Sequence, residues 1–467
     1  MKIFRKIAAF IAAGIMAVSA VPAASAASSY FIYIPAANVN LRSGPGSEYD
    51  IKGHTGGAVS LTYLGAQFDS ADILWYKVQD DNGFVGWVSS NYSRRYYKKS
   101  AKPKMGKLEY ESDGSAYGDA YEFVYDTARE ANAIGVQVAA IRGSDGKIFD
   151  FTYGYSKLNT KAVGNATKFR VASISKVAVA IIALRMQEQG IVGLNKKIDK
   201  YWGVKLPVGV SLATLLTHSS TLKYLSMKSD KDSIAEQLVK QSNYTDGQPG
   251  TSAVWYYNNY ASSVAACTLE LASGTLLDDY ARENLFTPLG VDMSFFAGNI
   301  KKQERLATLY EEDHGLELTV AEAKCLVPDG EPAQNGGNYI GGLTGSARDV
   351  AKMFFMLAND GRFNGQQVLS PESVEQLEKR YFTAEEYGGK FKQCIALRYM
   401  KDLYGTKGVY YHTGNAYGVI ALASYDPETK NVVVVLTTGA SHERDDNGIY
   451  KICSDISDCV FRNMSDF

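Results

Sequence analysis

Cysteine is scarce in this chain: five in 467 residues, at 267, 325, 394, 453 and 459. That excludes a disulfide scaffold, and an odd count leaves at least one thiol unpaired within the chain. The five show no metal-ligand spacing, and no His/Asp/Glu cluster calls for an ion, so no metal or cofactor is expected. Net charge is nearly absent too, with 49 Lys+Arg against 50 Asp+Glu. A nucleic-acid binder needs a basic surface for phosphates, so that class is set aside. Internal repeats and low-complexity tracts are missing. Apolar residues, at 46%, are plentiful enough for a packed core, and the length allows two to four domains.

One long apolar run exists, Ile7 to Val21, behind the basic start Lys2 to Lys6 and ahead of Ala24-Ser25-Ala26. Basic start, short apolar stretch and small residues make a signal-peptide pattern over 1–26. The run is short for the ~20 residues of a membrane span, so the expectation is an exported chain with no integral segment after cleavage.

Residues 30–93 read as short strands between turns, with Ser43-Gly44-Pro45-Gly46 the clearest turn cluster. Asn40-Leu41-Arg42-Ser43-Gly44-Pro45, Trp75-Tyr76-Lys77-Val78 and Gly86-Trp87-Val88 resemble the bacterial SH3-type domains of exported wall proteins. The resemblance implies a small β-barrel with peptidoglycan as its partner; a passive spacer is the plainer alternative. Residues 94–117 hold Arg94, Arg95, Lys98, Lys99, Lys102, Lys104 and Lys107. They read as a basic linker, with weak attraction to anionic polymers as an addition.

From 118 to 467 the pattern is mixed. A helix is expected over 119–132, strands over 136–141 and 148–153, and helices over 174–190, 232–241, 260–273, 347–359 and 371–378. A hairpin over 417–424 and 431–437 and a helix over 447–461 close the chain. Strands at both ends with helices between them predict an α+β fold, an antiparallel sheet covered by helices.

The chemistry is concentrated in three short motifs. Ser173 lies where a helix should start, with Lys176 one turn on along the same face. Helix amides favour developing negative charge, and an adjacent amine can take the hydroxyl proton. Ser-x-x-Lys also occurs at Ser144/Lys147, in a turn, and at Ser220/Lys223, with no helix behind it; a serine at 173 also suits an ordinary N-cap. Trp255-Tyr256-Tyr257-Asn258-Asn259 introduces a later helix, and His412-Thr413-Gly414 precedes the final hairpin. His54-Thr55-Gly56 repeats the last motif inside the small barrel, out of order.

Ser-x-x-Lys, Tyr-x-Asn and His-Thr-Gly, in that order, resemble the serine β-lactamase and penicillin-binding family, class C branch, with its D-alanyl-D-alanine carboxypeptidases and esterases. Phe169 to Ser173, Leu215 to His218, Gly341-Gly342-Leu343 and Ala347-Arg348-Asp349 support the match. The resemblance implies the β-lactamase/DD-peptidase-like fold, with an acyl-enzyme formed on Ser173. Lys176 and Tyr257 would manage the proton, nearby positive charge lowering the Tyr257 pKa from ~10. Asn259 would bond Lys176 or a substrate amide, and Ser173 and Asn415 would supply the oxyanion amides. His412, Thr413 and Gly414 complete the substrate-binding set. Glu270 and Gly274 favour Asn259 over Asn258 as the motif residue. Histidine at 412, with a pKa of ~6.5, fits a wall-peptide carboxypeptidase or an esterase better than an efficient β-lactamase. Thr221 departs from the family's usual Gly. Two other readings stay open: a broad esterase or weak β-lactamase, and a wall-binding protein whose hydrolase domain is inactive.

Overall fold

The computed structural model describes residues 30–70, 73–97, 105, 108–228, 230–312, 328 and 330–467. The signal-peptide segment, the five linker lysines and Cys325 lie outside the described residues.

The small domain is a seven-stranded antiparallel sheet. Its strands are β1 (Tyr30–Ile34), β2 (Asn40–Arg42), β3 (Ile51–His54), β4 (Val59–Phe68), β5 (Leu74–Gln79), β6 (Val85–Ser89) and β7 (Arg94–Tyr97). Their spatial order is β3-β2-β6-β5-β4-β1-β7. Ile32, Ile34, Leu61, Tyr76, Val78 and Val88 fill the core, the inward half of the period-two alternation. Thr55, from the duplicate His-Thr-Gly, supports this sheet, its Oγ1 accepting from the Val39 amide at 3.2 Å. β7 carries the sheet past residue 93, so the first four residues read as linker pair with β1, Tyr33 opposite Arg94. Charge concealed that strand: it opens with two arginines and contributes no core residue.

The larger part is built on a nine-stranded antiparallel sheet, in the order β10-β9-β8-β20-β19-β18-β17-β16-β15. Its members are β8 (Gly135–Ile141), β9 (Ile148–Lys157), β10 (Lys161–Ala162), β15 (Phe382–Glu386), β16 (Gly389–Gln393), β17 (Arg398–Lys401), β18 (Gly408–Ala416), β19 (Val419–Tyr425) and β20 (Val432–Thr438). Two short ladders lie apart, β11 (Phe169–Arg170) with β12 (Thr344–Gly345), and β13 (Arg362–Phe363) with β14 (Gln366–Gln367). Val136, Val138 and Ala140 of β8 face α1 (Ala116–Glu130) and the closing helix Lys451–Asn463. Ala139 and Ile141 face the opposite helical layer. Covered on both sides, β8, β19 and β20 are buried at every position, which explains their continuous apolar sequence.

α2 (Ser175–Glu188) runs through the helical layer and is buried on all sides from Ser175 to Leu184, as the continuously apolar run Val177 to Leu184 requires. Three expected boundaries move for local reasons. Tyr417 and Gly418, both at positive φ (56° and 74°), form a tight turn, so β19 begins two residues later than expected. The closing helix starts at Lys451, because Asp445 Oδ1 accepts from the Asn447 and Ile449 amides and folds that stretch into a turn. His412-Thr413-Gly414 lies inside strand β18 itself. Cys267, Cys394, Cys453 and Cys459 are free thiols, the first three buried.

Candidate active site

Ser173 sits in a 3₁₀ turn, Ala172–Ile174, immediately before α2. This turn is held tightly. Ser175 Oγ donates to Ala172 O at 2.5 Å and accepts from the Leu343 amide at 3.0 Å, while the Val171 amide donates to Leu343 O. Ala172 takes a left-handed φ of 48°, a strained state for a residue with a Cβ. Behind it, Gly342 leaves room for the Phe295 and Asn338 carbonyls, which an added Cβ would meet at 2.5 and 2.7 Å. The Gly341-Gly342-Leu343 segment therefore backs the Ser173 turn.

Lys176 Nζ donates to Ser173 Oγ and to Ile340 O, both at 2.9 Å. It is 2% exposed. Burial, helped by the Arg398 charge and opposed by Glu386, pulls its pKa down to about 7. Of the three Ser-x-x-Lys pairs, this one alone is joined. Lys147 lies over the Phe149 ring, and Lys223 donates to Ser242 O.

Tyr257 packs between His218 and His412, ring centroids 4.5 and 6.4 Å away, with Lys176 Nζ 5.2 Å from its ring centroid and the Ser173 side chain close enough to influence its phenol. The expected lowering of its pKa is reversed. Burial outweighs the nearby Ser173 hydroxyl and the Arg398 charge and lifts the phenol to about 12. Near neutral pH the group able to take a proton is thus Lys176, with Tyr257 a neutral hydroxyl.

Asn259 opens the helix Asn259–Ser273, while Asn258 is its N-cap, accepting from the Ala261 amide. Asn258 also donates to Leu222 O and is buried away from the cleft. Asn259 lines a cavity of about 180 Å³ together with Ser173, Asn338 and Asn415. Its Nδ2 donates to the Tyr224 hydroxyl at 3.3 Å and its buried Oδ1 has no partner. Of the two roles expected for it, the bond to Lys176 is not made. Glu270 accepts from Leu277, Ala333 and Tyr339, tying down the far part of the same helix, and Gly274 ends it at φ 70°.

β18 brings His412, Thr413, Gly414 and Asn415 to the other side of the cleft. At Gly414 an added Cβ would lie 2.6 Å from Val171 O; glycine lets the strand close onto the turn that carries Ser173. Asn415 donates from its side chain to the Tyr450 hydroxyl. His412 is buried, and its Nδ1 lies 2.6 Å from Thr413 O. Burial first, then Arg398 and Lys176, hold its pKa well below the ordinary range. It is a neutral imidazole.

Two site members are not evident from the motifs. Arg398, on β17, lies with its guanidinium 5.6 Å from the Tyr257 ring centroid and 2.5 Å from Glu386. Its signal is an isolated cation after Ile395-Ala396-Leu397. His218 accepts from the Asn258 amide at 3.1 Å, and burial with the Lys176 and Arg398 charges drops its pKa to about 3. Thr221, the departure from glycine, adopts φ 65°, the conformation for which glycine is the easy choice. Among the described residues, no group of three His, Cys, Asp or Glu side chains is placed to hold a metal ion.

Comparison with known proteins agrees with this architecture. The Beta-lactamase family model matches residues 122–452, and the Bacterial SH3 domain model matches 37–94. Penicillin-binding protein 4* of Bacillus subtilis is 25% identical over 239 residues, 48% of this chain and 50% of that protein. The chain thus spans about half the length of that curated relative. D-amino acid amidase from Ochrobactrum anthropi shares the fold at a TM-score of 0.60 and 19% identity, covering 75% of this chain and 99% of that one. The octameric penicillin-binding protein homologue from Pyrococcus abyssi follows at 0.57 and 22%, covering 69% and 73%. With two-thirds of its length matched by one family model, and that family's three motifs gathered in one cleft, the chain belongs to the beta-lactamase family.

Proposed function

We propose that this chain is an exported serine acyl hydrolase that forms an acyl-enzyme on Ser173 and acts as a D-alanyl-D-alanine-type carboxypeptidase on cell-wall peptides. The observation that carries the reading is the 2.9 Å contact between Ser173 Oγ and a buried Lys176 whose pKa is about 7. A neutral Lys176 amine accepts the Ser173 proton as Oγ attacks the carbonyl carbon. The resulting oxyanion accepts from the Ser173 and Asn415 amides, the kind of donor whose loss costs ~2.7–4 kcal/mol of barrier. Tyr257, its ring 5.2 Å from Lys176 Nζ, passes a proton from the Lys176 ammonium to the leaving nitrogen as the C–N bond breaks. Water then repeats the sequence on the ester, Lys176 again taking the proton and Ser173 regaining it.

A leaving D-amino acid ends in a carboxylate. Since Tyr257 protonates the leaving group, that group lies toward His412 and Arg398. His412 is neutral, so Arg398 is the permanent cation on that side. One observation favours the esterase or weak β-lactamase reading: Arg398 is already paired with Glu386, which reduces its pull on a second carboxylate. The experiment is direct. A diacetyl-Lys-D-Ala-D-Ala peptide, nitrocefin and a p-nitrophenyl ester are offered to the wild type and to Ser173→Ala. D-Ala release, lost in the variant along with fluorophosphonate labelling, is the expected result. Ester cleavage alone selects the second reading, and undiminished labelling of Ser173→Ala removes Ser173 from the mechanism.

A further inference from the structure

The cavity at Ser173 has a second end. Beyond Asn415 it is bounded by Ala416, Tyr417 and Arg170. Arg170 is 7% exposed, and its Nε has no hydrogen-bond partner. Its guanidinium lies 4.5 Å from the centroid of the Tyr417 ring. The same ring is shared with a cation from the small domain, Arg94 of β7, at 6.0 Å. Arg94 is oriented by donating to Ser90 O and Ser93 O, both at 2.8 Å. Both guanidiniums lie against the Tyr417 ring, and although burial works to raise the phenol, the two charges hold it below its ordinary value. Among the described residues, neither arginine is ion-paired with a carboxylate. Two cations sharing one phenol, one of them buried with an unused N–H, is an arrangement that an added anion would satisfy.

The position of the tyrosine is fixed by backbone. Tyr417 and Gly418 form the turn that joins β18 to β19, and Gly418 admits the Tyr310 carbonyl where a Cβ would come within 2.1 Å. The phenol therefore stays two residues from the Asn415 amide. If the leaving group lies toward His412 and Arg398, this opposite end receives the acyl portion of the substrate.

The geometry points to a cationic subsite on the acyl side, made by Arg170 and Tyr417 with Arg94 of the small domain behind them, that selects acyl donors carrying a carboxylate. It rests on the acyl-enzyme reading above and adds to it the charge of the donor and a part for the small domain. Arg170 touches the substrate; Arg94 is a positioning residue that acts through Tyr417.

The test compares two donors of nearly equal shape, succinyl-D-Ala-D-Ala and butyryl-D-Ala-D-Ala, with p-nitrophenyl esters of succinate and butyrate in parallel. The expected kcat/KM ratio, succinyl over butyryl, is about tenfold or more in the wild type. It falls toward one in Arg170→Gln and several-fold in Arg94→Ala, the latter guarding against a misfolded buried variant. A ratio near one in the wild type overturns the subsite, as does a ratio unchanged in both variants. Esters cleaved with the charged preference while the peptides are untouched would defeat the carboxypeptidase reading and leave the subsite standing. If no donor is cleaved, binding decides: protection of Ser173 from fluorophosphonate by succinyl-D-Ala and not by butyryl-D-Ala supports the subsite, and equal protection by both, or by neither, overturns it.

Discussion

At the scale of single residues, the site turns on how burial distributes protons. Lys176 and Tyr257 are both removed from water, and burial disfavours the charged form of each: the lysine falls to about 7 and the tyrosine rises to about 12. The pair is set for a neutral amine beside a neutral phenol from just above pH 7. Activity with an uncharged ester should then rise with pH through a single limb near 7, where Lys176 loses its proton. At pH 6 kcat/KM is expected at about a tenth of its plateau. Arg398 lowers the Lys176 pKa and Glu386 raises it, so the limb moves up in Arg398→Gln and down in Glu386→Gln. The pH–rate profiles of the two variants check this, and movement in the same direction for both would refute the electrostatic account.

At the scale of elements, strand β18 and the turn before α2 must approach within van der Waals contact, and Gly414 is where they meet. In Gly414→Ala the new Cβ would fall 2.6 Å from Val171 O. The strand has to withdraw, and the Asn415 amide goes with it. A fall in kcat of at least about 100-fold is expected, comparable to losing an oxyanion donor, with the circular dichroism spectrum retained; wild-type turnover would show that the close approach is not needed. This contact also marks what the chain's sequence discloses. The motif His412-Thr413-Gly414 is visible in one dimension, and so are long apolar elements such as α2, β19 and β20, whose burial is written in their composition. The strands β15 to β17 are not: Phe382–Glu386 and Gly389–Gln393 are short, mostly polar segments at the sheet's edge, a composition shared by exposed loops. Arg398 is hidden with them, because its meaning depends on pairing β17 beside β18, Arg398 opposite Tyr411. The direction of the Tyr257 shift is hidden for a related reason. Charge can be counted along a sequence, but desolvation depends on three elements closing over one ring.

At the scale of the whole molecule, the two folded parts differ in what each can do alone. The nine-stranded sheet and both helical layers are assembled from residues 116–463, with separate cores on each face. The small domain has one modest core of its own, in the size range where a single core gives limited stability. The wall is an insoluble polymer with many repeated sites. A module holding it raises the local concentration of scissile peptides around the tethered active site, an effect reaching millimolar for short linkers. If residues 30–97 bind the wall, a chain starting at residue 108 should still unfold in one cooperative thermal transition yet fail to sediment with purified sacculi. Its D-Ala release from sacculi should fall about tenfold or more further than its D-Ala release from soluble succinyl-D-Ala-D-Ala. Comparing the two losses separates tethering from damage to the acyl pocket. Removal of Arg94 alters the pocket for carboxylate-bearing donors whether soluble or insoluble, whereas loss of an anchor is felt only on the polymer. Equal losses on both substrates, or sacculus binding retained by the shortened chain, would assign the small domain to the pocket and not to the wall.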